Sequence, residues 1–587
     1  MYPIRSFTLP ELVEEGAKHY RRRPALGMVG KAPLSYEDLE AGSRKVAALL
    51  GLLGVKKGER VALVSESRPE WGVSYLGASR AGAVLVPILN DFTPEQMKNI
   101  IEHSGAVLIL ASKKLQPKIA AAAAGRILVS VDDLALVSGA PAGLDPAGPE
   151  GAARLDGALA AWKAPAIEGS DLAAIVYTSG TTGLSKGVMM THKNLVWDAW
   201  ACRSIIILKR TDRFLSVLPL AHTYEFTIGF VIAIMQGSSV WYLDRPPTAT
   251  ALLPALKIVR PTVMLTVPLI IEKIYRSNVK PTLDGMGLYK VATLKPLLER
   301  LAGLKLKRTF GGKVRFYGIG GAPLSEDVER FLRAAKFPYA IGYGLTETAP
   351  MLSGSHPRKQ AFRATGPAMR GLEMRVADPR PDTGEGEIQA RGPNVFSGYY
   401  RDEERTRECF TPDGWFKTGD LGFIDAKGRV CIRGRLKTMI LGASGENIYP
   451  EEVEAVINAS PHVAESLVYG DEKGLTALIQ LKPEVLEELS ARFQDGLDSA
   501  EFAATQLGQA LADAGRAAGH AAGHAAGEAF HSAEHAAGVL LEGIKKEANS
   551  RLAAFSRIGK VEHQKEPFEK TPKQSIKRFL YPSKKGN

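Results

Sequence analysis

Three times within residues 35–112, a segment whose apolar residues recur at helical spacing is followed by a short, wholly apolar run. SYEDLEAGSRKVAALLGLLG (35–54) leads to RVALVSE (60–66), EWGVSYLGASRAG (70–82) to AVLVPIL (83–89), and PEQMKNIIEHSG (94–105) to AVLILAS (106–112). Such a run has no polar face, so as a strand it must be covered on both sides. Strands joined through helices of this length pair in parallel, and the arrangement that satisfies both demands is a doubly wound α/β sheet. The pattern returns at RFLSVLPL (213–220), SSVWYL (238–243), TVMLTV (262–267) and VRFYGIG (314–320). From about Thr365 to Arg433, short strand candidates and turn pairs such as DTGEGEIQARG and DAKGRVCIRG predict a small antiparallel sheet or barrel. The expectation is an α/β chain. A large N-terminal domain (1–434) holds two doubly wound sheets and a small β-barrel-like subdomain, and a smaller α+β domain follows (435–587).

At 587 residues the chain can bury large cores without disulfide or metal staples. Its 45% hydrophobic and 24% charged residues exclude a collagen, a disordered tail protein and a small secreted scaffold. The net charge of +12 is compatible with phosphates, nucleic acid or an anionic membrane surface and selects none of them. Cys202, Cys409 and Cys431 form no CxxC pair, which argues against a thiolate zinc site and for a reducing compartment. MYPIRSFTLPELVEEG lacks the pattern of a signal peptide. The longest uncharged run, Phe226–Leu243, is interrupted by QGSS and reads as a helix, a turn and a buried strand rather than a span. A cytoplasmic protein is expected.

An Ala/Gly/His-rich insertion, about 485–540, stands apart. Its histidines at 520, 524, 531 and 535 would share one helix face within about 60°. Two readings are open: a metal-binding stripe, or a low-complexity surface insertion with a small-residue face.

The strongest local signal is IVYTSGTTGLSKGV (175–188). An apolar strand enters a loop of glycines and small hydroxyl residues and ends at Lys186. Glycine lets backbone approach a phosphate, amides and hydroxyls donate to it, and lysine supplies a point charge. The spacing is not GxxxxGK[ST], which disfavours a P-loop NTPase. Taken alone, a glycine-rich surface turn is an equal reading. GGAPLSE (320–326) ends a strand, and IGYGLTETAP (341–350) sets Tyr343 beside Gly344 and then Thr346-Glu347. Tyrosine can stack on a base, and glutamate offers the hard oxygen that Mg²⁺ prefers. DGWFKTGDLGFIDAKGRVCIRGRLKTMI (413–440) brings Asp420, an acceptor suited to ribose hydroxyls, and Arg435, a planar donor. Individually these residues read as a turn, a core ring and a surface pair; their order and combination carry more.

With YTSGTTGLSKG, LPLAHTYE, YGLTETAP, TGDLG, GRLK and GENIYPEEVE in this order, the chain resembles the AMP-forming acyl-CoA synthetases of the adenylate-forming superfamily, from roughly Thr8 to Tyr581. LPLAHTYEF (218–226), RPTVMLTVPLIIEKIY (260–275) and the C-terminal SRIGKVEHQKEPFEKTPKQSIKRFLY look most like the long-chain fatty acid branch. The resemblance implies a two-step ligase using ATP, Mg²⁺ and coenzyme A: a carboxylate attacks the α-phosphate to give acyl-AMP, and the thiol of coenzyme A then takes the acyl group. It implies that Thr178, Ser179, Gly180, Thr181, Thr182, Gly183 and Lys186 cradle the β- and γ-phosphates, and that Thr178 and Glu347 hold the metal. Gly320, Gly321, Ala322, Tyr343 and Gly344 would frame adenine, Thr346 would meet the α-phosphate, Asp420 and Arg435 the ribose, and His222 the carboxylate. The C-terminal domain would swing about Lys437, with Gly445 and Glu446 lining the pantetheine tunnel.

One departure stands out. The family's adenylation lysine falls two residues before a basic pair, and here that position is Ser575, in KTPKQSIKR (570–578). Serine cannot supply an ammonium. Lys573 lies on the same face in an extended strand and is the candidate substitute. The alternatives are slow adenylation or another lysine. Rival functions are an aryl- or shorter-chain acyl-CoA ligase, an acyl-AMP ligase loading a carrier protein, and a catalytically impaired ATP- and acyl-binding homologue. No nucleic-acid module is recognisable. The basic end KQSIKRFLYPSKKGN either touches an anionic membrane on its inner face, peripherally, or packs on its own domain. Monomer and homodimer are both open.

Overall fold

Three helices of the first region start on side-chain caps that the sequence supplies. In the computed structural model, which describes residues 2–139, 149–179, 185–441, 447–471, 474–487, 533–570 and 576–581, Ser35 and Asp38 form a capping box at the start of Tyr36–Leu52. Thr93 and Gln96 do the same for Pro94–Ser104, and Thr191 and Asn194 for His192–Cys202. Each cap satisfies amides that the first helical turn leaves unpaired.

The three predicted strands of the first region form as Arg60–Val64, Val84–Pro87 and Leu108–Ala111. They pair in parallel, with Arg60–Val64 between the other two. Their sheet has eight strands, in the order Gly398–Tyr399, Ser185–Thr191, Leu172–Ser179, Val84–Pro87, Arg60–Val64, Leu108–Ala111, Ile127–Ser130 and Leu136–Ser138. A second eight-stranded sheet runs Met351–Gly354, Tyr339–Gly344, Phe316–Ile319, Val263–Thr266, Arg213–Ser216, Ser239–Tyr242, Pro24–Met28 and Leu34–Ser35. The stretch after Thr365 builds a five-stranded sheet, Gly366–Pro367, Arg429–Arg435, Phe416–Ile424, Gly386–Arg391 and Glu373–Ala377, whose outer pairs are antiparallel.

Several strands come from outside the sequence neighbourhood of their sheet. Pro24–Met28 joins the second sheet, parallel to Ser239–Tyr242. Two flanking tyrosines hold it there. The Tyr36 hydroxyl donates to the Ser238 carbonyl at 2.7 Å. The Tyr20 ring closes on Gly237, where a Cβ would meet it at 2.7 Å and φ is +79°. The run 226–243 is helix, turn and buried strand as expected, but the helix begins in π form, Tyr224–Val231, before Ile232–Gln236 continues as α.

One core joins the facing surfaces of both large sheets to the helices between them. Trp71 and Tyr75 stack at 5.0 Å, and Tyr75 meets Phe226 of the π-helix at 4.3 Å. Full burial of each such side chain stabilises the fold by about 1.5–3 kcal/mol.

The chain divides into two compact units: Met1–Thr418 with Gly422–Ile432, and Gly419–Leu421 with Arg433–Asn587. In the second, Val463–Asp471, Gly474–Leu481 and Ile558–His563 form a three-stranded sheet. Val453 and Ile457 of helix Pro450–Ile457, and Leu541 and Ile544 of helix Ala533–Arg551, share its core. Most of the Ala/Gly/His-rich insertion, with the histidines at 520, 524 and 531, lies outside the described residues. The described part of the basic C-terminal end packs on its own unit. Arg578 pairs with Glu454, Lys577 with Glu569 at 3.0 Å, and the Tyr581 ring meets Phe568. No helix among the described residues is long and apolar enough to cross a membrane.

Candidate active site

Parallel strands Phe316–Ile319 and Tyr339–Gly344 are neighbours in register, Gly318 opposite Ala340 and Ile319 opposite Ile341. Gly320, Gly321 and Ala322 therefore leave the sheet beside Gly342, Tyr343 and Gly344, at the carboxyl ends of the strands. In open α/β sheets that edge is where ligands bind. Two close approaches require glycine here. A Cβ on Gly344 would lie 1.7 Å from the Pro350 carbonyl oxygen, and one on Gly320 would press the Tyr224 ring at 3.2 Å. Gly321 has φ of +85°, which a side chain would strain.

Thr346 and Glu347 follow in a single 3₁₀ turn, Thr346–Thr348. Its shape is fixed from behind by two buried residues far away in sequence. Asn394 Nδ2 donates to the carbonyls of Thr348 and Met351, each at 2.7 Å, and lies 3.1 Å from Asp198 Oδ1. Asp198 Oδ2 accepts from the Met351 amide at 3.2 Å. Burial raises the Asp198 carboxyl well above the ordinary range, against these two donors.

Lys186 reaches this turn through a residue that the motifs do not contain. Thr178 and Lys186 face each other across the hairpin Leu172–Ser179/Ser185–Thr191. Gly398–Tyr399 pairs with the outer strand of that hairpin. This brings the Tyr399 ring to 5.2 Å from Lys186 Nζ, while the Tyr399 hydroxyl donates to Glu347 Oε1 at 2.8 Å. Burial and then the Glu347 charge push the phenol far above its usual range, so it stays a donor. Lys186, Tyr399 and Glu347, from three separate segments, thus converge. Cys409 lies close enough to feel them: burial, then Glu347, push its thiol up to about 11 against the pull of Lys186. The sequence signal for Tyr399 was a single aromatic pair after glycine, FSGYY, which names no role.

Gly180, Thr181, Thr182 and Gly183 lie outside the described residues, as do Gly445, Glu446, Lys573 and Ser575, and Ser179 is described only as the end of its strand. Lys570 and Ile576, on either side of 571–575, form an antiparallel bridge. Asp420 and Arg435 are brought together in the second unit as an ion pair, Arg435 Nε to Asp420 Oδ1 at 2.8 Å, with Asp420 buried and Arg435 half exposed. Lys437 is exposed in the turn that follows.

His222 lies two residues before the start of the π-helix, and its carbonyl accepts from the Phe226 amide at 2.9 Å. Tyr224 and Ile228 of that helix close a small apolar cavity against Leu265, Phe316, Gly318 and Met351. At about 20 Å³, it is far below the roughly 300–1,000 Å³ of occupied ligand sites. Glu225 is buried on the same helix, with Oε2 unpartnered among the described residues. A Cβ on Gly229 would sit 2.8 Å from its other oxygen. Burial, weakly offset by the nearby Ser216 hydroxyl, raises the carboxyl from 4.5 to about 8. The folded state therefore holds a proton that the unfolded chain releases above pH 4.5, and stability falls as pH rises towards 8. Glu225→Gln should remove that slope. The variant is expected to gain stability over the parent by on the order of 3 kcal/mol between pH 5 and pH 8. Melting curves at both pH values check this; parallel pH profiles would contradict it.

Among the described residues no group of three or more His, Cys, Asp or Glu side chains could hold a metal ion. The single carboxylate of Glu347 would suit an Mg²⁺ that arrives with a polyphosphate, since that ion keeps water and phosphate oxygens and needs one or two protein carboxylates.

Comparison with known proteins shows the family of the chain. The model of the AMP-binding enzyme family matches residues 13–400. The long-chain-fatty-acid–CoA ligase FadD15 of Mycobacterium bovis is 33% identical over 476 residues, 76% of this chain and 77% of that protein. The peroxisomal long chain acyl-CoA synthetase 7 of Arabidopsis thaliana is 31% identical over 497 residues, 77% of this chain and 69% of its own. Among solved structures, ATP-bound MatB from Rhodopseudomonas palustris superposes with a TM-score of 0.72 at 25% identity, covering 98% of each chain. The chain belongs to the AMP-binding enzyme family.

Proposed function

We propose that this protein is a long-chain fatty acid–CoA ligase. The acid's carboxylate oxygen attacks the α-phosphorus of ATP, the bond to pyrophosphate breaks, and acyl-AMP forms. The sulfur of coenzyme A then attacks the acyl carbon and AMP leaves. The observation that carries the reading is the convergence of Lys186, Tyr399 and Glu347 beside the glycine-lined carboxyl ends of the second sheet. Two anions must meet in the first step, so the site has to supply positive charge and a metal ligand together. Lys186 offers the first, and Glu347 with Thr178 would supply the second; Mg²⁺ held there would neutralise phosphate charge. In this reading residues 178–183 cradle the terminal phosphates, Gly320–Ala322 and Tyr343 frame adenine, and Thr346 meets the α-phosphate. His222 positions the carboxylate. Asp420 orients Arg435 for the ribose, and the buried carboxylate keeps the guanidinium from wandering.

The second unit then moves about Lys437 so that Gly445 and Glu446 line the path of the pantetheine arm. Lys573 replaces the ammonium that Ser575 lacks. The preference for a long-chain over an aryl acid rests on the likeness to the long-chain ligases, since aliphatic and aromatic side chains (Ile228, Leu265, Tyr224, Phe316) both line the cavity. Three free cysteines, one of them buried, fit a reducing cytoplasm.

The test is one incubation with ATP, Mg²⁺ and a C16 acid, with and without coenzyme A, following pyrophosphate, acyl-AMP and acyl-CoA. Acyl-CoA should appear only with coenzyme A. A product that forms only on a carrier protein would replace the reading with an acyl-AMP ligase. Lys573→Ala should lower pyrophosphate release by about 10²-fold, the usual worth of one positioned charge-stabilising group. Full activity in that variant would remove Lys573 from the mechanism.

A further inference from the structure

Of the fourteen exposed large hydrophobic side chains among the described residues, nine lie between Leu253 and Leu304. Such clustering on a protein surface marks an interaction site, where scattered single residues would not. The helix Lys295–Thr309 shows it most clearly. Leu297, Leu301 and Leu304 are 52–56% exposed and fall within about 60° of one another around the helix. Gly303 and Leu306 are the residues it buries, and Leu306 lies about 180° from Leu297. A Cβ on Gly303 would meet the Ala335 carbonyl oxygen at 2.4 Å, so this face is packed and cannot turn outward. The helix is therefore apolar on two opposite sides, one in the core and one in water. Met286, Leu288 and Val291, in the segment just before it, are 41–61% exposed as well.

The charge of the same region says what would cover it. Residues 253–313 contain twelve lysines and arginines and three acidic residues, a net +9 of the chain's +12. Two of those three acids are engaged locally, Glu272 with the Ser325 hydroxyl and Glu299 with the Tyr289 hydroxyl. Arg300, Lys305 and Arg308 border the leucine stripe, all exposed, and none has an ion-pair partner among the described residues. Half-exposed leucines ringed by unpaired cations suit a surface that is anionic outside and hydrocarbon within. A second copy of the chain would bring the same charge against itself.

We propose that the face built from residues 286–308 docks on an anionic lipid bilayer, its leucines entering the headgroup boundary and its cations meeting lipid phosphates. The membrane-facing site is then here and not at the basic C-terminal end, where Lys577 and Arg578 are taken up by ion pairs within the second unit. That the bilayer also delivers the acid rests on the long-chain reading above; the docking itself does not.

The test is flotation of the full chain with vesicles, without ATP or acid, so that its outcome is independent of the ligase reaction. Vesicles of equal parts phosphatidylglycerol and phosphatidylcholine should bind the protein at about 0.05 M NaCl and release most of it at about 0.5 M, where screening shortens to a few ångströms. Pure phosphatidylcholine should bind at least tenfold less. The triple variant Leu297→Ser, Leu301→Ser, Leu304→Ser, and separately Arg300→Gln, Lys305→Gln, Arg308→Gln, should each bind about tenfold or more weakly while melting at the parent temperature, since every altered side chain is exposed. Lys584→Gln with Lys585→Gln should bind as the parent does. The proposal fails if the parent does not bind anionic vesicles, if the leucine variant binds like the parent, or if only the Lys584/Lys585 variant is released. It also fails if sedimentation without vesicles shows the leucine variant converting a dimer to monomers.

Discussion

Glu347→Gln is expected to slow pyrophosphate release by about 10²–10³-fold, the range for removing one electrostatic stabiliser of a reacting centre. The turn should survive the change. Its shape rests on Asn394, Asp198 and Thr348, and the Phe396 amide donates to the Glu347 backbone carbonyl at 2.9 Å, which glutamine keeps. The amide oxygen can also still accept from Tyr399. What is lost is the negative charge, and with it the hard ligand for Mg²⁺. The loss should therefore come with a raised Mg²⁺ requirement, read from pyrophosphate release against metal concentration. It should also be confined to the first half-reaction, because acyl-AMP supplied ready-made has already lost its pyrophosphate. Tyr399→Phe serves as the companion variant. It leaves the carboxylate charged and removes only its donor at 2.8 Å, a change expected to cost about tenfold, within the worth of one hydrogen bond to a charged group. A Glu347→Gln enzyme with the parent's Mg²⁺ dependence would take this residue out of the metal site.

The parts of this site that were legible in the sequence are those encoded by local runs. Short apolar segments between helical periods gave Arg60–Val64, Val84–Pro87 and Leu108–Ala111, because a parallel strand buried on both faces has no other composition to adopt. Thr178 and residues 320–322 and 343–347 stand out for a similar reason, as glycines and hydroxyls at or just past the ends of strands. Tyr399, Asp198 and Asn394 were not found. Each acts on a partner more than forty residues away, and a lone tyrosine, aspartate or asparagine carries no spacing to read. The π-form of Tyr224–Val231 was also illegible, since YEFTIGFV is as apolar as an α-helix would be. The helix packs through Phe226 on Tyr75 and Trp71 and through Tyr224 on Gly318 and Gly320, contacts that lie far away in sequence. Periodicity failed in a different way at Leu297, Leu301 and Leu304. Their spacing specifies a helix face, and only the tertiary structure tells which of two apolar faces is left in water.

Lys437→Pro is expected to separate the two half-reactions in the direction opposite to Glu347→Gln. Lys437 sits just after Arg433, where the second unit begins, in the turn between strand Arg429–Arg435 and the short strand Ile440–Leu441. The hydrogen bonds that hold this turn belong to its neighbours: Leu436 N–H to the Gly419 carbonyl at 2.9 Å, and Thr438 and Met439 N–H to the Arg435 carbonyl at 3.2 and 3.0 Å. The Lys437 amide makes none among the described residues, and its side chain is exposed, so proline removes no bond and no packing. It does fix φ near −65° and restrict Leu436 before it, which denies this position a large backbone rotation. If the second unit must turn about Lys437 to admit coenzyme A, acyl-AMP formation should stay within about threefold of the parent. Conversion of supplied acyl-AMP to acyl-CoA should fall by about 10²-fold, as when reacting groups are held out of register. Lys437→Ala, which leaves φ free, should behave as the parent in both steps; a charge contact at this residue would instead make alanine and proline equally damaging. Equal losses in both half-reactions for the proline variant would mean that the rotation occurs elsewhere or not at all. The contrast with Glu347→Gln makes the pair decisive, because general damage to the fold cannot impair opposite halves of one reaction in two variants.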